Sequence, residues 1–225
     1  MCVSDLATAY RGVRARVRDL VLEHDGDDAT VIPATPEWTA RDLVAHLSGI
    51  TSDIVNGNLD GVGTDPWTAA QVAARRDRTI GELLDEWDEC AGPVERMVDQ
   101  FGAAGGQLLG DAVTHEHDLR GAWGYPGARD SDAVLIGFEW LTTRLGAARH
   151  AAGVGALAIE HEAGTTACGD GPPAAGLRVS RFEFTRAATG RRAPEQIAAY
   201  PWDGVARPNL VVLAPFTPRR AALVE

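Results

Sequence analysis

The sequence contains no lysine, so all 21 basic residues are arginine. Without lysine the chain cannot form a Schiff base between a lysine amine and a carbonyl substrate, and that class of covalent catalysis is excluded. Cysteine is scarce too, with three scattered residues, Cys2, Cys90 and Cys168. An odd set without a C-x-x-C pair indicates neither a disulfide framework nor a cysteine zinc site.

Long apolar stretches are also missing. The N-terminal segment MCVSDLATAYRGVRARVRDL has no continuous apolar core, so we expect neither a signal peptide nor a membrane anchor. A net charge of -11 disfavours a nucleic-acid-binding protein, because such proteins carry a basic surface stripe. The sequence therefore predicts a cytoplasmic protein, a monomer or homodimer, whose partners are small molecules and neither nucleic acid nor membranes.

The charge is unevenly distributed along the chain. Residues 175–225 hold eight arginines and four acids, whereas the preceding part is strongly acidic. One interpretation is a shift in composition at a domain boundary. The other is a basic lobe that faces an anionic substrate.

The first two thirds of the chain follow the helical period. Thr39, with Asp42 three residues later, has the pattern of a helix N-cap, and Gly92-Pro93 and Gly105-Gly106 are expected to break helices. The 68–101 segment can be read as one helix or two. We predict helices over residues 4–24, 39–56, 68–101, 107–123 and 132–150.

The pattern changes after residue 150. LAIEHEA and GLRVSRFEFTRAATG alternate with the period of half-buried strands, and NLVVLAPF suits a third strand. APEQIAAY predicts a short helix, and GTTACGDGPPAAG a loop. The fold class is therefore predicted to be α+β, with a helical bundle over residues 1–150 and a small α+β domain over residues 151–225.

The segment DAVTHEHDLRGAWG, residues 111–124, concentrates acids and histidines. A helix advances by about 100° per residue, so Asp111, His115 and Asp118 share one face. Glu116 and His117 point away from that face. A charged run of this kind is commonly a solvated surface, and its alternative interpretation is half of a metal site.

The partner in a metal site would be His46, which lies among apolar residues on the core side of the 39–56 helix. A histidine on an apolar face is often only a satisfied core residue. Two histidines and a carboxylate on facing helices favour the other interpretation, because three ligands with an open fourth position are typical of catalytic zinc. H-E-x-x-H is absent, which disfavours a zinc protease.

Three segments together resemble the mycothiol-dependent maleylpyruvate isomerase family, one of the DinB-like helical-bundle metalloenzymes. EWTARDLVAHLSGI matches the family pattern W-T-x-R-D-L-x-x-H-L, and DAVTHEHDL is similar to its E-x-x-x-H-x-x-D-L pattern. TGRRAPEQIAAYPWDG resembles the family's C-terminal module. The resemblance covers nearly the whole chain and implies a DinB-like four-helix bundle followed by a small α/β module.

The resemblance also implies a ligand set. The family's histidines fall on His46 and His115, and its glutamate falls on Asp111, whose side chain is one methylene shorter. The shorter arm leaves open whether the carboxylate reaches the metal. Asp118 matches the family's aspartate, for which we expect either a role in orienting a ligand histidine or an ordinary hydrogen bond to a neighbouring helix or loop. Trp38 and Trp123 flank the two motifs and are expected in the core.

The implied cofactors are a divalent metal, Zn²⁺ above all, and the thiol mycothiol. A metal-stabilised thiolate can add to an activated double bond, and rotation followed by elimination gives isomerisation, whereas release of the adduct gives S-transfer. Arg191 and Arg192 are candidates for holding an anionic, unsaturated substrate, and the alternative interpretation is surface charge or packing against the bundle. The alternative function is a ligand-binding or regulatory protein on the same fold with a degenerate metal site, because a fold does not fix a function.

Overall fold

Eight α-helices and four β-strands occur in the part of the chain that the computed structural model describes, residues 5–24, 27–205 and 207–225. The helices are Leu6–Glu23 (α1), Ala40–Asn56 (α2), Asp65–Ala74 (α3), Ile80–Met97 (α4), Ala103–Ala122 (α5), Asp132–Ala151 (α6), Arg181–Ala188 (α7) and Pro194–Ala198 (α8). The strands are Ala156–His161 (β1), Gly164–Cys168 (β2), Pro173–Arg178 (β3) and Trp202–Asp203 (β4).

Contacts between residues divide the chain into two units, Ser4–Gly127 and Ala128–Val224. The first unit is a bundle of the four long helices α1, α2, α4 and α5. Helices α1 and α2 each pack against both α4 and α5, and the short helix α3 packs on α2. Each long helix therefore buries its apolar stripe between two neighbours, as a four-helix bundle requires.

Side-chain caps set where the bundle helices begin. Thr39 accepts a hydrogen bond from the Asp42 backbone N–H while the Asp42 carboxylate accepts one from the Thr39 backbone, so the predicted cap of α2 is a complete capping box. Thr79 and Glu82 make the same box at the start of α4. These boxes satisfy amide groups that a helix end would otherwise leave unpaired.

A buried hydrogen-bond chain ties three bundle helices together. The Trp87 indole N–H on α4 donates to the Tyr10 hydroxyl on α1 at 2.8 Å, and that hydroxyl pairs with the Thr51 hydroxyl on α2 at 2.8 Å. Thr51 in turn donates to the Leu47 carbonyl at 3.1 Å, so the Tyr10 proton points toward Thr51. Burial raises the pKa of Tyr10 to about 12, and the phenol stays neutral.

Two predicted helix breaks in the bundle were wrong. Helix α4 runs through Gly92-Pro93, because buried Trp87, Ala91 and Val94 hold its apolar face and offset the one hydrogen bond that proline forfeits. The chain breaks instead between α3 and α4, just before the Thr79 capping box.

The predicted turn at Gly105-Gly106 lies inside α5. A Cβ at Gly105 would stand 2.5 Å from the Val98 carbonyl oxygen of the preceding 3-10 turn. This glycine therefore allows a close approach of backbone to backbone. The turn itself lies at Gly102, whose φ of 56° is one that glycine adopts without strain.

The second unit is built on a four-stranded sheet in the order β2-β1-β3-β4. Strand β1 pairs antiparallel with β2 and parallel with β3, and β3 pairs antiparallel with β4. Helix α6 packs on the sheet and on α7, with Phe138, Leu141 and Leu145 in the same apolar cluster as Leu157 and Phe184. Helix α6 thus packs with the sheet, and the division between the two units, at Gly127/Ala128, falls before it. The domain boundary predicted at 150/151 falls after α6.

Three predictions for the second unit need correction. The stretch 181–188 forms helix α7, because Ser180 caps it by accepting from the Glu183 backbone N–H, a signal that outweighs the alternation of its aromatic residues. The expected loop after β1 contains β2 and the start of β3. The stretch 209–216 is irregular after a 3-10 turn, Pro208–Leu210, and forms no strand.

The predicted α+β class and the N-terminal four-helix bundle are confirmed. Among the described residues, no helix combines the length and the apolar character needed to cross a bilayer.

We expect Tyr10→Phe to lower the free energy of unfolding by about 1–3 kcal/mol, because the buried Trp87 N–H loses its acceptor. Chemical denaturation of both proteins measures the difference. Tyr125→Phe, at a tyrosine that is 49% exposed, is the matched control and should change stability by no more than about 0.5 kcal/mol. Equal effects of the two variants would contradict the proposed tie between helices.

Candidate metal centre

Two facing helices supply the candidate ligands. His46 lies on α2, and Asp111 and His115 lie one turn apart on α5. One ligand atom from each residue lies within 4.8 Å of the other two. In the part of the chain that the structure describes, this is the one cluster of three such residues.

The Asp111 carboxylate lies between the two imidazoles. Its Oδ2 is 3.3 Å from His46 Nε2, and its Oδ1 is 3.6 Å from His115 Nε2. Zinc bonds of about 2.0–2.1 Å would place tetrahedral ligands about 3.3–3.4 Å apart, so this spacing suits one ion. The shorter arm of aspartate therefore brings its carboxylate to both imidazoles.

Asp118, the residue expected to orient a ligand histidine, anchors the outer nitrogen of His115. Its Nδ1 lies 3.0 Å from Oδ2 of Asp118, which is almost fully buried. A carboxylate only accepts hydrogen bonds, so Nδ1 is the donor of this bond and Nε2 is the nitrogen that faces the cluster. This is the arrangement in which an outer carboxylate orients a ligand histidine.

The outer nitrogen of His46 is anchored by a residue that the sequence analysis missed. Its Nδ1 lies 2.9 Å from the side-chain oxygen of Gln71 on α3, which is 2% exposed. The Gln71 amide nitrogen donates to Asp53 at 2.8 Å. Nothing in the local sequence around Gln71 signals this contact, because it depends on how α3 packs on α2.

The donor set suits a cation. With both Nδ1 atoms facing outer acceptors, two imidazole Nε2 atoms and a carboxylate face one another within 4.8 Å. Acceptors that converge in this way repel one another unless a proton or a metal ion lies among them. Two imidazoles and a carboxylate are ligands that zinc accepts.

Trp38 forms a wall of the cluster. Its ring centroid lies 5.1 Å from that of His46 and 5.6 Å from that of His115. The loop before α2 fixes the residue, because Trp38 N–H donates to the Thr35 carbonyl and the Trp38 carbonyl accepts from Ile32. Trp38 is half-buried, so its expected place in the core was wrong. Its position directly before the Thr39 cap was the sequence signal that could have placed it at the start of α2.

The other two residues of HEHD face away from the cluster, as the helical period predicts. Glu116 is fully buried and accepts two hydrogen bonds from the Arg16 guanidinium, both at 2.7 Å, and one from Arg120 at 3.0 Å. Its carboxylate thereby ties α5 to α1 one residue after His115. His117 is also buried and is not part of the ligand cluster.

Arg191 and Arg192 lie in the second unit. Arg192 is buried, and its Nε and Nη2 donate to the two oxygens of Glu183 at 2.5 and 2.8 Å. Burial alone would raise the pKa of Glu183, but these hydrogen bonds and the arginine charge lower it. Arg191 donates to the Thr189 carbonyl. Their role toward an anionic substrate stays a prediction.

The described cysteines are not activated as nucleophiles. Burial raises the pKa of Cys168 to about 12, and burial is also the main cause of the raised pKa of Cys90. A thiol with a raised pKa contains little thiolate at neutral pH. Cys2 lies outside the described residues.

Comparison with known proteins gives a fold and no sequence family. No family model matches the chain, and no curated protein matches it. Among solved structures it is similar to a mycothiol-dependent maleylpyruvate isomerase, with a TM-score of 0.57 and 14% identity over 85% of this chain and 90% of the isomerase. A histidine-to-alanine mutant of that enzyme gives the same values. At this identity the likeness shows a shared fold.

We expect Glu116→Ala to lower the free energy of unfolding by about 3 kcal/mol, because Arg16 and Arg120 lose a fully buried partner. Denaturant titration measures the loss. Glu89→Ala, at an exposed helical glutamate, is the control and should be near neutral. A Glu116→Ala protein as stable as the control would show that this ion cluster does not hold α5 against α1.

Proposed function

We propose that the protein is a metal-dependent enzyme that uses a low-molecular-weight thiol, mycothiol, to isomerise a small unsaturated and anionic substrate, or to transfer the thiol to it. The observation that carries the proposal is the convergence of His46, Asp111 and His115 with both imidazole Nε2 atoms turned inward. The fold shared with a mycothiol-dependent maleylpyruvate isomerase supports the choice of thiol and reaction class.

The resident ion in this proposal is Zn²⁺, held by His46, His115 and Asp111. Three protein ligands leave a fourth position for a thiol or substrate, as in catalytic zinc sites. When bound, such an ion supplies a Lewis-acidic position that favours the thiolate over the thiol. This function places the protein in the reducing cytoplasm, where thiols of this kind persist.

The residues of the chain supply binding, orientation and access. The side chains of His46 and His115 are 5% and 7% exposed, whereas that of Asp111 is 34% exposed. Solvent and ligands therefore approach from the side of the carboxylate. Asp118 and Gln71 hold the imidazole rings from behind, and the half-buried Trp38 ring provides an apolar wall beside them.

We expect metal-free parent protein to take up one Zn²⁺ per chain, and His46→Ala and His115→Ala to abolish that uptake. Asp111→Ala should weaken binding substantially, because it removes both a donor and a negative charge that offsets the cation. Asp111→Glu should retain the ion. Elemental analysis after dialysis without chelator, together with competition against a chromophoric chelator, measures stoichiometry and affinity.

The matched control for these variants is His117→Ala, which removes a buried histidine of the same helix from outside the cluster. It should bind one Zn²⁺ as the parent does. If the parent bound no ion, or if all three cluster variants bound it equally well, the protein would instead be a ligand-binding or regulatory protein on this fold.

The thiol requirement is tested with the zinc-loaded protein and maleylpyruvate. We expect turnover only when mycothiol is present, followed by the change in substrate absorbance, and loss of turnover in His46→Ala. Formation of a stable thiol adduct would assign S-transfer in place of isomerisation. Zinc binding without either product would overturn the enzymatic proposal.

The proposed contact with an anionic substrate involves Arg191, which lies in the unit Ala128–Val224. We expect Arg191→Ala to raise KM for an anionic substrate by about tenfold, the loss of one charge-assisted hydrogen bond, while kcat stays near that of the parent. Arg191 is a cleaner test than Arg192, since removing Arg192 leaves Glu183 without its bidentate partner. Unchanged steady-state kinetics would remove Arg191 from the proposed substrate site.

A further inference from the structure

The short helix α3 buries only two of its residues, Trp67 and Gln71. Burying the polar Gln71 amide costs free energy unless its hydrogen bonds are made. Both ends of the amide are in fact paired, the oxygen with His46 and the nitrogen with Asp53. A leucine would pack at such a site at lower cost, so the glutamine calls for a reason beyond packing.

The orientation of the amide follows from Asp53. A carboxylate has no proton to give, so the group facing Asp53 Oδ2 at 2.8 Å must be the amide nitrogen of Gln71. The amide oxygen is then the atom 2.9 Å from His46 Nδ1, and it can only accept. His46 must therefore donate from Nδ1, which leaves Nε2 as the nitrogen directed at the ligand cluster.

The approach of α3 that makes this contact depends on a glycine. Gly49 lies on α2 one turn after His46, on the same face. A Cβ at this position would stand 2.7 Å from Gln71 Cβ and 2.9 Å from Gln71 Cγ, distances that force the helices apart. Only glycine lets the Gln71 side chain lie across α2 and reach the imidazole.

We infer that Gln71, admitted by Gly49 and fixed by Asp53, is a positioning residue that sets the tautomer of His46 and thereby prepares the site for its ion. Helix α3 then supports the metal centre from outside the four-helix bundle. The inference rests on the proposed metal site for its consequence, zinc affinity. Its cause, the His46 tautomer, is present in the metal-free protein and can be measured there.

The experiment combines two measurements on the full chain. Imidazole ¹⁵N NMR of metal-free, histidine-labelled protein identifies the protonated nitrogen of His46, assigned with His46→Ala. Competition with a chromophoric chelator gives Zn²⁺ affinity. In Gln71→Ala we expect His46 to lose its exclusive Nδ1–H form and the affinity to fall by about 10- to 100-fold, as for other outer partners of ligand histidines.

Three further variants separate positioning from folding. Gly49→Ala should reproduce both changes of Gln71→Ala through the displaced side chain, whereas Gly81→Ala, on α4 where a Cβ meets nothing within 4 Å, should change neither. The double variant Gln71→Glu with Asp53→Asn keeps a hydrogen-bond acceptor at position 71 facing His46. It also places a hydrogen-bond donor at position 53 facing residue 71. This double variant should restore the tautomer and most of the affinity.

Each result decides one of the two proposals. If Gln71→Ala lowers the free energy of unfolding but leaves tautomer and affinity unchanged, Gln71 only anchors α3 and the inference is overturned. A double variant that behaves like Gln71→Ala would also overturn it. If the parent shows the Nδ1–H form and Gln71→Ala loses it while no variant or parent binds Zn²⁺, the positioning role stands and the proposed metal function fails.

Discussion

The arrangement on which the site depends is the outward anchoring of two imidazole rings. Asp118 holds Nδ1 of His115 and Gln71 holds Nδ1 of His46, so both Nε2 atoms turn toward the Asp111 carboxylate. Three acceptors brought together in this way repel one another unless a proton or a cation lies among them. In the proposed metal site, a bound cation would turn these repulsions into attractions, and its affinity would originate in that change.

Contacts elsewhere in the bundle keep the helices that carry the three side chains of the cluster next to one another. The Trp87–Tyr10–Thr51 chain ties α4, α1 and α2, and the Arg16–Glu116–Arg120 cluster ties α1 to α5. The first is buried, the second is centred on the fully buried Glu116 carboxylate, and each joins a helix that carries a candidate ligand to a neighbouring helix. In the proposed metal site, such contacts would leave the ligand atoms little freedom to move apart, so less ordering would be needed when an ion binds.

Much of this could be predicted from the sequence, and the exceptions have physical causes. The helical period placed Asp111, His115 and Asp118 on one face and turned Glu116 and His117 away, because that geometry is local. The Thr39 cap was visible for the same reason. Gln71 and the wall formed by Trp38 depend on packing between separate segments, which no local pattern encodes. Helix α7 was mistaken for a strand since two phenylalanines alternate there, although Ser180 and Glu183 carried the cap signal.

The aspartate at position 111 illustrates how local geometry limits what can change in such a site. Residues i and i+4 of a helix are neighbours on its surface, so Asp111 meets His115 Nε2 at 3.6 Å. The packing of α2 on α5 brings His46 Nε2 to 3.3 Å from the same carboxylate. The missing methylene therefore costs the cluster neither of these contacts. In the proposed metal site, aspartate can therefore serve as the third ligand beside the two histidines, and the change from glutamate does not by itself make the site degenerate.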